Sequence, residues 1–190
     1  PLAEAGLVIE AIVEHLEIKQ NLLRQLEAIC RDDCILASNT SSISITRLGA
    51  GMTRPERLVG MHFFNPAPVM ALVEVVQGLA SDPAVVDCVL AAAAAWGKKP
   101  VLARSTPGFI VNRVARPFYA ESLRLLQEGV ADCASLDALL REAGGFAMGA
   151  FELTDLIGHD VNYAVTCSVF DAYYQDMRFQ PSQIQKELVD

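Results

Sequence analysis

The sequence predicts an α/β first half followed by an all-helical second half, and three observations carry that expectation. From Leu7 to Ala103, short apolar runs alternate with segments of helical spacing. Beyond Ser105-Thr106-Pro107-Gly108 no strand-like run occurs, and every segment keeps the helical period. The composition allows both halves a core: 52% of the 190 residues are hydrophobic, and the mean hydropathy is +0.30.

Leu7-Val8-Ile9-Glu10-Ala11-Ile12 reads as a buried strand. Ile18, Leu22, Leu23, Leu26, Ile29 and Cys30 recur at helical spacing, so a helix is expected over about 14–30. Cys34-Ile35-Leu36-Ala37 is the second strand and ends in Ser38-Asn39-Thr40-Ser41-Ser42. Ser44 is placed to cap a short helix that stops near Gly49, and Leu58–Phe64 and Leu72–Gln77 are the third and fourth strands. Asp82-Pro83 opens the next helix with a cap and a proline at its first position, and Gly97 closes it. Lys99–Ala103 is a fifth strand. Helices are then expected over about 108–129, 135–143 and 151–176, with Ser135 capping the middle one and Pro117 kinking or breaking the first. The alternation favours a parallel sheet, and the change of pattern divides the chain into domains 1–104 and 105–190.

The net charge of −8 comes without a basic patch, which argues against a nucleic-acid partner. Five cysteines, an odd number without a C-x-x-C pair, suit reduced thiols in a cytoplasmic protein. The longest apolar run, Val85 to Trp96, is too short to span a membrane and is interrupted by Asp87. His15, His62 and His159 lack metal-ligand spacing, and His15 and His159 read as surface or capping residues. The chain begins at Pro1 and enters a strand almost at once, so the front of a larger domain is expected to precede it.

Chemistry concentrates around Met61-His62-Phe63-Phe64-Asn65-Pro66 and Glu74. His62 ends an apolar run, and Glu74 is the one carboxylate inside Leu72-Val73-Glu74-Val75-Val76, where an unpaired acid would be costly. Pairing the two would fix one imidazole nitrogen and leave the other to take a proton, the core of a general base. In parallel sheets ligands bind at the carboxyl ends of strands. Asn39-Thr40-Ser41, His62 and Asn65 are all expected just beyond such ends.

These segments resemble the NAD-dependent 3-hydroxyacyl-CoA dehydrogenase family. Ser38-Asn39-Thr40-Ser41-Ser42, His62-Phe63-Phe64-Asn65-Pro66 and Glu74 look like its catalytic region. Thr106-Pro107-Gly108-Phe109-Ile110-Val111-Asn112-Arg113 resembles the start of its helical domain, and Phe151–Gly158 is similar to another family segment. The resemblance covers nearly the whole chain and is strongest to the bacterial phenylacetate-degradation subgroup acting on 3-hydroxyadipyl-CoA, with 3-hydroxybutyryl-CoA enzymes near. It implies the C-terminal part of a Rossmann-type NAD-binding domain followed by a helical substrate and dimerisation domain. It further implies His62 as general base, Glu74 as its orienter, and Ser41 and Asn112 holding the substrate oxygen across a cleft. Ala11, Glu14, Lys19, Asn39, Ser41 and Asn65 would lie at the NAD side, although a solvated helix start is the plain alternative for Glu14 and Lys19. Two departures stand out: Ala150 replaces the family's usual proline, and no strand followed by G-x-G-x-x-G is found.

Two other classes compete. Ser41, His62 and Glu74 could form a hydrolase triad, but Ser41 does not sit in G-x-S-x-G. A non-catalytic acyl-CoA-binding fragment is the second. A homodimer through the helical half is implied by the family, and its apolar positions Phe109, Ile110, Val114, Phe118, Leu123, Leu126, Val165, Val169 and Phe170 could serve it or an intradomain core equally. A dicarboxylic substrate would want a cation, with Arg104, Arg113 and Arg116 as candidates.

Overall fold

In the computed structural model, which describes residues 2–190, five strands pair in sequence order. They are β1 (Leu7–Glu10), β2 (Ile35–Ser38), β3 (Leu58–Phe63), β4 (Leu72–Gln77) and β5 (Lys99–Arg104). β1 runs parallel to β2, β2 to β3, and β4 to β5. The β3–β4 pair is antiparallel, an exception within the mainly parallel sheet that the alternation favours. The reason is the length of the link: residues 64–71 contain no helix, and a parallel return needs a crossover of roughly a dozen residues or more.

Alternation along the strands splits the core in two. Ile35, Ala37, Val59, Met61, Val73 and Val75 face one side and meet Val86, Val89 and Ala93 of α3 (Pro83–Ala95). Leu36, Leu58 and Val76 face the other and meet Leu23 and Leu26 of α1 (Leu16–Ile29) and Ile45 and Leu48 of α2 (Ile45–Gly49). Glu10, Ser38, His62 and Glu74 fall in the same alternation as this second set. The buried face of α1 is Lys19, Leu23 and Leu26, whereas Ile18 and Ile29 are exposed, so the helical stripe contains a lysine that hydrophobic spacing passed over.

The helix ends follow local chemistry. The Ser44 hydroxyl accepts the Arg47 amide, and the Asp82 carboxylate accepts the Ala84 amide with Pro83 behind it. Gly97, at φ +76°, lets the Lys98 amide turn back to the Ala93 carbonyl and closes α3. Gly60 is needed for a close approach. A Cβ there would stand 2.7 Å from Val76 Cβ and 2.9 Å from Ile45 Cδ1. Gly60→Ala should therefore lower the stability of this unit by about 1–3 kcal/mol, read as a shift in thermal or denaturant midpoint.

Chain contacts separate two units, the first ending at Ile110 and the second spanning Val111–Asp190. Among the described residues the second holds α4 (Val111–Gln127), α5 (Cys133–Glu142), α6 (Ala150–Ile157), α7 (His159–Ala172) and α8 (Gln183–Val189). α4 runs through Pro117 without breaking, and it packs against α6 and α7. Asp132, not Ser135, caps α5: its carboxylate accepts the Ser135 amide at 2.8 Å, so Ser135 is the capped residue. The expected helix over 151–176 is two helices, broken at Gly158 with φ +99°, a conformation open to glycine and costly for other residues. Ala150 opens α6, and the buried Asp137 carboxylate accepts the Phe151 and Glu152 amides beside it. α8 was not foreseen, since its short polar run shows little periodicity. Among the described residues no helix is long and apolar enough to cross a membrane.

Candidate active site

The site is built on the carboxyl ends of β1, β2 and β3. His62 and Glu74 are direct cross-strand partners in the β3–β4 register, so both side chains leave the same face at the same level. His62 Nδ1 lies 2.7 Å from Glu74 Oε2. Glu74 is fully buried and His62 is 6% exposed. The other carboxylate oxygen, Oε1, accepts the backbone amide of Ile110 at 2.9 Å. With Glu74 ionised, the tautomer that satisfies both of its oxygens has Nδ1 carrying the imidazole proton and Nε2 presenting the lone pair. Phe64, with ring centroids 4.5 Å apart, and Phe109, 5.9 Å away and edge-on, wall the imidazole. His62 is inside β3 rather than beyond it, because pairing with β4 continues through Phe63.

The second part of the site is the turn after β2. Asn39 Oδ1 accepts the Phe63 amide at 2.9 Å and so ties the end of β2 to the residue after His62. The Ser41 amide donates to Glu14 Oε1 at 3.0 Å. The same oxygen accepts the Thr40 hydroxyl at 2.5 Å and the Ser42 amide and hydroxyl, each at 3.1 Å. Burial by itself would raise the Glu14 carboxyl; the bonds from Thr40, the charge of Lys19 and the bonds from Ser42 and Ser41 outweigh it and hold the group below the ordinary glutamate value. Lys19 Nζ is 3.5 Å from Glu14 Oε2, and it donates to both oxygens of Glu10 and to the Ile12 carbonyl. Glu10 also accepts the Ser38 hydroxyl.

The remaining predicted residues are more loosely placed. Ala11 is exposed just past β1, and Asn65 is exposed in the link that follows β3. Asn112 lies on the first turn of α4 in the second unit, where its carbonyl accepts Arg116 Nε at 3.2 Å. Arg116 is itself buried, bonded to Asn162 and Thr166 of α7, and belongs to the core of that unit. Sequence reasoning missed Glu10, and it quoted Ser38, Phe109 and Ile110 within motifs without giving them a role at the site. Glu10 carried one available signal, an acid at the end of an apolar run, as Glu74 did. Ile110 acts through a backbone amide, which no side-chain pattern reveals.

Around Ser41 the site is bounded by the Glu14 carboxylate, whose side chain is 37% exposed, an acceptor that suits the hydroxyls of a nicotinamide ribose. It does not fit a pyrophosphate, because the nearby Lys19 ammonium is buried and already bonded.

Two family models cover the chain: "3-hydroxyacyl-CoA dehydrogenase, NAD binding domain" over residues 1–106, and "3-hydroxyacyl-CoA dehydrogenase, C-terminal domain" over 108–190. The chain is 58% identical to the 3-hydroxyadipyl-CoA dehydrogenase of Escherichia coli K12, across 99% of its own length and 40% of the relative's. A crystal structure described as 3-hydroxybutyryl-CoA dehydrogenase from Escherichia coli K12 is 58% identical, with a TM-score of 0.97, covering 99% of this chain and 40% of that one. The (S)-3-hydroxybutyryl-CoA dehydrogenase of Ralstonia eutropha is 38% identical, with a TM-score of 0.93, covering 97% of this chain and 65% of that one. The chain thus spans less than two thirds of the length of these relatives.

Proposed function

Since the chain belongs to the 3-hydroxyacyl-CoA dehydrogenase family, we propose that it carries the catalytic residues of an oxidoreductase interconverting (S)-3-hydroxyacyl-CoA and 3-oxoacyl-CoA with NAD. The observation that carries this is the buried His62–Glu74 pair, 2.7 Å apart, set beside the Ser41 turn at the carboxyl ends of the strands. Residues 1–104 would serve the dinucleotide, and 105–190 the substrate and subunit contacts.

His62 Nε2 takes the proton of the 3-hydroxyl. Glu74 keeps Nδ1 protonated and stabilises the imidazolium as it forms. Ser41 donates to the substrate oxygen, and Asn112 is the second residue that the family resemblance assigns to that oxygen. Ala11, Glu14, Asn39, Ser41 and Asn65 border the nicotinamide ribose. The bound dinucleotide supplies the hydride acceptor for C3. The protein would work as a cytoplasmic homodimer in phenylacetate or fatty-acid catabolism. Exposed apolar side chains of the helical unit, among them Val114, Leu156 and Val161, support the dimer.

The test is NADH oxidation by the full-length enzyme with acetoacetyl-CoA and with 3-oxoadipyl-CoA. Turnover establishes the reading, and the ratio of the two rates separates a short acyl group from a dicarboxylic one. Binding of acyl-CoA without turnover would instead mark a non-catalytic module, and release of free CoA thiol would mark the hydrolase.

A further inference from the structure

We propose that Arg116 reads the terminal carboxylate of a dicarboxylic acyl group, and so selects a 3-hydroxy diacid thioester over a short monocarboxylic one. This rests on the dehydrogenase reading, in which Asn112 meets the oxygen at C3 of the substrate.

Arg116 is a buried cation without a counter-charge. It is 4% exposed, and among the described residues no carboxylate faces its guanidinium. Its hydrogen bonds all go to neutral groups. Nε donates to the Asn112 carbonyl at 3.2 Å. Nη1 donates to the Asn162 carbonyl at 3.1 Å and to the Thr166 hydroxyl at 2.9 Å, with Asn162 Oδ1 at 3.5 Å. Nη2 is left over, and the Tyr119 ring lies 4.9 Å from the guanidinium carbon. Burial draws the group below the ordinary arginine value, and Tyr119 only partly opposes it. A packing role alone would be filled as well by an apolar side chain of similar volume, because a desolvated charge is costly.

The same nest holds a second unused donor. Asn162 is 2% exposed; its Oδ1 accepts Gln185 Nε2 at 3.1 Å, and its Nδ2 is buried without a partner. Turning the amide over does not help, since it would set NH2 against the donors of Gln185 and Arg116. The nest thus has donors in excess, and its charge makes an anion the acceptor that suits it. A carboxylate brings two accepting oxygens and the missing charge.

Position sets the length of that ligand. Asn112 and Arg116 stand one turn apart on one face of α4, about 6 Å along its axis. The bond from Nε to the Asn112 carbonyl shows that the arginine folds back toward Asn112. In a six-carbon 3-hydroxy diacid, C3 and the terminal carboxyl carbon are three bonds apart, about 4 Å when extended. A substrate met at C3 by Asn112 therefore carries its carboxylate to the next turn, whereas a butyryl chain ends one bond past C3. Arg104 is exposed on β5, and Arg113 is half-buried over the Tyr173 ring, so water screens both. A carboxylate that reaches Arg116 is desolvated with it, where charge discriminates most.

The experiment follows NADH oxidation by the full-length enzyme with 3-oxoadipyl-CoA, its terminal methyl ester and acetoacetyl-CoA, using wild type, Arg116→Met and Arg116→Lys. Wild type should prefer the free acid to the ester by about 10–100-fold in kcat/KM, the size of a charge-assisted bond. Arg116→Met should reduce that preference to within about threefold. It should also lower the ratio of 3-oxoadipyl-CoA to acetoacetyl-CoA turnover by about 10–100-fold. Arg116→Lys should keep part of the preference, since it retains the charge without the planar fork. Each figure is a ratio of two substrates on one enzyme, so a general loss of stability cancels. The comparison of acid with ester on wild type needs no variant and decides the matter even where a variant fails to fold. Equal use of acid and ester by wild type, or an Arg116→Met enzyme that keeps the preference, would overturn the proposal and leave the dehydrogenase reading standing. Equal use together with a lower melting temperature for Arg116→Met would place the counter-charge in the protein itself. A folded wild type that turns over none of the three would sink the dehydrogenase reading, and this proposal with it.

Discussion

Replacing His62 with glutamine is expected to lower kcat by about 10²–10⁴-fold while leaving the protein folded. Glutamine is chosen because the carboxylate below must keep a partner. Glu74 is fully buried, with one oxygen on the Ile110 amide and the other 2.7 Å from His62. A glutamine amide donates to that second oxygen, as Nδ1 does, but has no basic nitrogen to accept the substrate proton. His62→Ala would strip the partner and strand a charge in the core, so lost turnover would be mixed with lost stability. The measurement is steady-state turnover together with circular dichroism and acyl-CoA affinity. Wild-type turnover in a folded His62→Gln enzyme would remove His62 from the mechanism.

The second large effect concerns stability. Lys19→Met alone should destabilise the first unit by about 3–5 kcal/mol, because it leaves the Glu10 carboxylate buried without its counter-charge. For a unit of this size that corresponds to a fall in melting temperature on the order of 10 °C or more. Adding Glu10→Gln should recover a large part of it, since the cost lies in the orphaned charge rather than in the missing bond. Calorimetry of the single and double variants checks this. A single variant that melts within about 2 °C of wild type would mean that the pair is not electrostatically coupled.

The legible parts of this fold were those with a local cause. Leu72–Gln77 was bounded correctly because loops flank it, and its lone acid announced a partner across the sheet. Asp82-Pro83 and Gly97 marked the ends of α3 by capping chemistry alone. What escaped depended on distant residues. Lys19 falls in the buried stripe of α1 for the sake of Glu10 and Glu14, neither of which is a hydrophobic signal. The antiparallel turn between β3 and β4 depended on the link being too short for a crossover, while attention to alternating strands and helices suggested otherwise. Gly158 divides α6 from α7 through a backbone angle, and a glycine inside an apolar helical pattern does not announce that angle. At the candidate site, the pairing of His62 with Glu74 could be reasoned from the cost of a buried acid. The tether from Ile110 could not, since an amide is common to nearly every residue.

The register of β3 against β4 has a consequence for how this scaffold tolerates change. Met61 opposes Val75 and Phe63 opposes Val73 on the α3 face, while His62 opposes Glu74 on the other. The apolar face thus pins the alignment that brings imidazole and carboxylate together, and a slip of one residue would turn both side chains away. Residues 64–71 only bridge the two strands. Lengthening or rebuilding that bridge leaves the pairing to be restored by Met61, Phe63, Val73 and Val75. A single deletion inside either strand takes the His62–Glu74 pair and the packing away in one step.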